Sequence, residues 1–256
     1  MTPAEILNEL NGLPFVHPDF NSKKLLTFVA VVRKNISGKN LHLSTYLQPD
    51  FSTDLYNRHV AGAPEFPPHE PLSNAENFML AEAKKNLKAL LPEWDNLLEI
   101  PANIHKMLNH QVSLTNPLLP QQMFLGEAAF TSITDLEELL VHELSHIWSS
   151  LIAEIYDFQI KDSSNNYILP SGTGGKNPRG VLLACLFAVS AMNYHHRLLT
   201  TGSERARPER LEYLNQYFLR SLVTLKASTE LSEIGKLISS RLDEFSSNLT
   251  TNADRG

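Results

Sequence analysis

The residues of this chain whose types and spacing could do chemistry are two histidines four apart with a glutamate beside the first, His142-Glu143-Leu144-Ser145-His146. On a helix, an i, i+4 spacing stacks both imidazoles on one face a single turn apart, where two ring nitrogens can hold one divalent ion. Glu143 then stands beside that ion, as a base for a bound water or as a carboxylate that orients a ligand. The competing explanation is a chance match on an ordinary helix, and the capped, apolar helix around the motif argues against it.

Two imidazoles do not complete a metal site, and the spacing leaves the third ligand open. A metzincin would place Gly three and His six residues after the second histidine, but Ser149 and Ile152 stand there. Glu154, Glu204, Glu209 and Glu212 are available for a gluzincin, although none lies in an NExxSD-like setting. His195 is the expected third ligand, with His196 as its rival; both follow Ala184, Ala188 and Ala191, whose small side chains permit close helix approach. A histidine at a helix end is also a common cap or surface residue, which is the alternative for each of them. His105 and His110 lie on the other side of an expected strand and are weaker candidates. Ser149 and Ser150 lack a G-x-S-x-G elbow, and Ser171-Gly-Thr-Gly-Gly-Lys176 lacks Walker spacing, so the latter reads as a flexible loop and a candidate lid.

The elements that must position the motif can be read from periodicity. Thr134 is expected to cap the central helix, because Glu137 three residues on can complete a capping box, and that helix should run over about 135–156. Met123 to Phe130 is apolar and aromatic behind Pro117 and Pro120, and predicts a strand with an exposed edge beside the helix. A buried helix is predicted from Pro178 to about Leu199, then amphipathic helices over about 208–225 and 229–245, and another over 77–91. Near the start, Glu5 to Leu10 reads as helix, while 24–32 fits a buried helix or strand. The fold class expected is mainly α with a small β-sheet, a zincin-like strand followed by the HExxH helix. Organisation is expected as a mostly helical segment 1–62, a proline-rich loop 63–72, a metal-binding catalytic body 73–247 and a flexible tail 248–256.

Composition limits what such a site would act on. The 256 residues carry 22 Lys and Arg against 28 Asp and Glu, a net charge of -6, which offers no general attraction for a nucleic-acid backbone or an anionic membrane. The apolar run 180–192 is too short to span a bilayer. A single cysteine, Cys185, sits among apolar residues and forms no internal disulfide, which together with the lack of a secretory signal predicts a cytoplasmic protein.

Across 108–199 the chain resembles the HEXXH-motif family of ribosomal-peptide modification proteins. The likeness rests on the strand, on Leu136-Glu-Glu-Leu-Leu-Val-His-Glu-Leu-Ser-His146, and on Asn177-Pro-Arg-Gly-Val-Leu-Leu-Ala184 before the buried helix; only the HExxH is sharp. The resemblance implies an Fe(II)/2-oxoglutarate-dependent β-hydroxylase of a ribosomally made precursor peptide, with His142 and His146 as iron ligands on a site that keeps positions open. It also implies a partner for the distal carboxylate of 2-oxoglutarate, for which Arg179 is the candidate, a guanidinium being suited to bidentate pairing. The chain departs from the family in having no histidine within 181–187. Two other readings stand beside this one: a zinc metallopeptidase with Glu143 as general base, and a non-catalytic peptide-binding module.

Overall fold

The computed structural model describes residues 1–59, 64–161, 163, 164 and 166–253, with side chains described as far as residue 246. The protein is mainly α with a small mixed sheet. Its helices are α1 (Pro3–Glu9), α2 (Ser22–Ser37), α3 (Pro49–His59), α4 (Asn74–Leu90), the single turn α5 (Asp95–Leu98), α6 (Ile133–Ile155), α7 (Pro178–Thr200), α8 (Pro208–Ala227) and α9 (Glu233–Ala253). No helix among the described residues is long and apolar enough to cross a membrane.

Helix α6 is the axis of the fold. Leu136, Leu140, Val141, Leu144, Ile147, Trp148, Leu151 and Ile152 are all buried, so apolar residues cover most of its circumference and it must be surrounded. Helix α7 lies along it, and the small residues there let the backbones approach closely enough for Ser190 Oγ to reach Ser145 Oγ at 3.4 Å. One buried cluster joins Ile6, Leu10, Leu25 and Val29 of the N-terminal segment to Leu140, Trp148, Leu186 and Leu242 of the body. The 62/63 boundary expected from the sequence lies outside the described residues.

Among the described residues the sheet has four strands, β1 (His69–Pro71), β2 (Asn103–Met107), β3 (Ser113–Asn116) and β4 (Leu119–Leu125), in the order β1-β2-β4-β3. β4 runs parallel to β2 and antiparallel to β3. Several expectations are corrected here. The strand expected over 123–130 occupies 119–125, every residue of it is buried, and it lies between two neighbours, while 127–130 form a 3-10 turn. The exposed edge belongs instead to β3, because β4 returns inside it. The proline-rich stretch closes into β1 at its end. The cap of α6 is Ser132, not Thr134: its Oγ accepts from the Asp135 N–H at 3.1 Å. Glu137 is drawn inward, accepting from Asn86 Nδ2 at 2.8 Å, from the Tyr194 hydroxyl at 2.7 Å and from Arg205. Helix α9 continues through Ala253, past the expected start of the tail; residues 254–256 lie outside those described.

Candidate metal centre

Both histidines project from one face of α6 into the wall of a cavity of about 640 Å³. Their Nε2 atoms are 2.9 Å apart, within reach of a single ion about 2.0–2.1 Å from each nitrogen. Phe187 of α7 stacks on His142 with ring centroids 3.8 Å apart and 23° between planes, which fixes that imidazole. Burial pushes His142 down to about 4 and His146 down to about 3, the charge of His142 adding to the latter. Both rings are therefore neutral at pH 7, the state in which imidazole coordinates a metal.

Glu143 is 2% exposed, does not line the cavity, and its buried Oε2 has no hydrogen-bond partner. The same holds for His146 Nδ1 and for the hydroxyl of Ser149, while Ser150 faces the cavity. Buried polar atoms without partners are uncommon in folded proteins, and three of them within seven residues of one helix mark this stretch as built for more than packing.

The structure places His195 in a different role from the histidine pair. It is fully buried, and its Nε2 faces Glu138 Oε2 at 2.8 Å. Glu138 also accepts from Arg210, Nε to Oε1 at 3.0 Å, and against the desolvation of burial these two partners hold its carboxyl at about 2. Glu138, His142 and His146 follow one another at i, i+4, i+8, so this carboxylate stands one turn before the pair, already engaged. His196 is exposed and does not line the cavity. Arg179 does line it, and its Nε donates to Asp157 Oδ1 at 2.9 Å while Nη2 takes the other oxygen.

As a metal site, the two neutral imidazoles fit as donors. Among the described residues no group of three His, Cys, Asp or Glu side chains that could hold a metal ion converges. Sequence reasoning missed Arg210, Tyr213 and Tyr217 on the same wall, and singled out the loop that ends at Lys176 without giving that lysine a role. Lys176 was within reach, since it closes the glycine-rich loop before α7. Arg210 was not, because its place depends on Glu138, seventy-two positions away in the chain. The loop itself lies over the cavity: Ser171, Thr173 and Gly175 line it, and Tyr167 pairs with Lys176 through backbone bonds of 2.7 and 3.1 Å. No protein-family model matches this sequence, and no curated protein matches it.

Proposed function

We propose that this protein is a metal-dependent enzyme acting on a peptide, and within that class an Fe(II)/2-oxoglutarate-dependent β-hydroxylase. The observation that carries the reading is the pair of neutral imidazoles, 2.9 Å apart, on the wall of a cavity that Lys176, Arg179 and Arg210 also line. That wall suits an anionic co-substrate beside the metal, whereas the carboxylate a water-activating peptidase needs there, Glu143, is turned into the core.

The chain's own residues would act as follows. His142 and His146 hold the ion through Nε2, and burial keeps both unprotonated well below neutral pH. Phe187 locks the first ring. A ferrous ion held by these two rings would supply dioxygen activation, the oxidation of 2-oxoglutarate to succinate and carbon dioxide balancing insertion of one oxygen atom into a substrate Cβ–H bond. An extended peptide has a platform in β3, a terminal strand of the sheet, whose last residues Thr115 and Asn116 line the cavity together with the following Pro117 and Leu118. The loop 171–176 forms part of the cavity's rim through Ser171, Thr173, Gly175 and Lys176.

Anaerobic titration of the Fe(II)-loaded protein with 2-oxoglutarate tests the reading. A saturable visible charge-transfer band, lost in His142→Ala, is expected; its absence from the wild-type protein overturns the oxygenase. A zinc peptidase is the second reading, favoured by one observation: Glu143, next to His142 in the chain, keeps a buried Oε2 with no hydrogen-bond partner. Under that reading Glu143→Gln keeps zinc and abolishes cleavage of a test peptide, and cleavage retained in the variant sinks it.

A further inference from the structure

The three cations on the cavity wall are not equivalent. Arg179 has its Nε and Nη2 on Asp157, and Arg210 has its Nε and Nη2 on Glu138, so each guanidinium is offset by a carboxylate. Among the described residues the ammonium of Lys176 has no ion pair and no hydrogen bond, and no Asp or Glu lines the cavity. Lys176 is half-buried, held by the backbone pairing with Tyr167, and its stem crosses Gly180, where a Cβ would sit 3.3 Å from Lys176 Cδ. It stands near enough to His146 for its charge to help disfavour protonation of that ring. The first turn of α7 opens on the same wall through Asn177, Arg179 and Gly180, and a helix start adds partial positive charge there.

We infer that Lys176 is the anchor for a carboxylate of a small dicarboxylic acid bound in this cavity beside the histidine pair. An uncompensated ammonium in a partly enclosed, carboxylate-free cavity gains a charge-assisted hydrogen bond when an anion enters, whereas each arginine, although its Nη1 takes no part in those bonds, already has its charge offset by an acid. The inference rests on the proposed function for the identity of the acid, 2-oxoglutarate, and it moves the role expected of Arg179 to Lys176. It does not rest on it for the anchor itself, because a plain dicarboxylate without the 2-oxo group meets the same cation.

Calorimetric titration of the purified protein with succinate and with 2-oxoglutarate tests this, using wild type, Lys176→Gln and Lys176→Arg, each first shown to melt like wild type. Both acids are expected to bind wild type, to weaken by about tenfold or more in Lys176→Gln, and to recover in Lys176→Arg. Equal affinity of wild type and Lys176→Gln overturns the anchor, and if the ferrous charge-transfer band persists the oxygenase reading survives that failure. Lys176-dependent succinate binding with no such band upholds the anchor and overturns the oxygenase. Binding of a tripeptide through its free C-terminal carboxylate, with neither small acid bound, overturns the inference in favour of the peptide as the source of the anion.

Discussion

Two of the places where helix α6 buries polar groups are treated in opposite ways. At its C-terminal end, Glu154 receives the fully buried Arg33, Nε to Oε2 at 2.8 Å and Nη2 to Oε1 at 2.6 Å, and Arg33 spends its remaining nitrogen on the Tyr46 carbonyl, Ser52 and Gln121. Burial and then the Glu154 charge push the neighbouring Tyr56 hydroxyl upward, so it stays neutral among these groups. Three turns earlier, Glu143 Oε2, His146 Nδ1 and Ser149 Oγ have no partner at all. The contrast separates two uses of buried polarity. A network in which each nitrogen of Arg33 has an acceptor ties α2, α3, β4 and α6 together, whereas Glu143, His146 and Ser149 keep buried polar atoms that the fold leaves unsatisfied.

The largest effect that could break this comparison is expected at the matched end. Arg33→Ala leaves Glu154 buried and unpaired, and should lower unfolding free energy by about 3–5 kcal/mol in a urea titration. A loss of under about 1 kcal/mol would mean that the network is not what holds those elements together.

A smaller effect is expected from protons at the unmatched end. In the unfolded chain the two histidines titrate near 6.5, whereas in the folded protein burial lowers them to about 4 and about 3. Between those limits the unfolded state binds protons that the native state refuses, so stability falls as pH falls below 6.5. For two such groups the loss between pH 6.5 and 5.5 is about 2 kcal/mol, and a His142→Ala/His146→Ala double variant should lack it. Equal pH slopes for the variant and wild type would show that the pair is not held neutral by the fold.

The smallest effect is expected at Ser149, whose buried hydroxyl has no hydrogen-bond partner. Ser149→Ala should be neutral or stabilising, by within about 1 kcal/mol, in the same titration. A clear destabilisation would show that a water or ligand matches that hydroxyl in solution.

The sequence revealed the motif more fully than its surroundings, for a physical reason. An i, i+4 pair is a local relation, so the meeting of His142 and His146 on one face followed from helical geometry alone. The cap of α6 was misplaced at Thr134 because Thr134 with Glu137 offers the same kind of local chemistry as Ser132 with Asp135. What decided it was remote: Asn86, Tyr194 and Arg205 claim the Glu137 carboxylate. Likewise the apolar run before the helix was legible as a strand, but its central position was not, since strand order depends on β4 folding back between β2 and β3. His195 presented itself as a ligand because its spacing from the motif says nothing of Glu138 or of Arg210 behind it.

The contact between α1 and α9 sets a clock on biosynthesis. Arg241 Nη1 donates to the Leu7 carbonyl at 3.2 Å across 234 positions of chain, and Leu7 and Leu10 share one buried cluster with Ile238 and Leu242. At ribosomal rates of about 5–20 residues per second, α1 waits on the order of ten seconds or more for that partner to be made. Throughout that interval its leucines have no permanent cover from α9, and a nascent chain stalled before Ile238 exposes an apolar face of the kind that holdase chaperones take up.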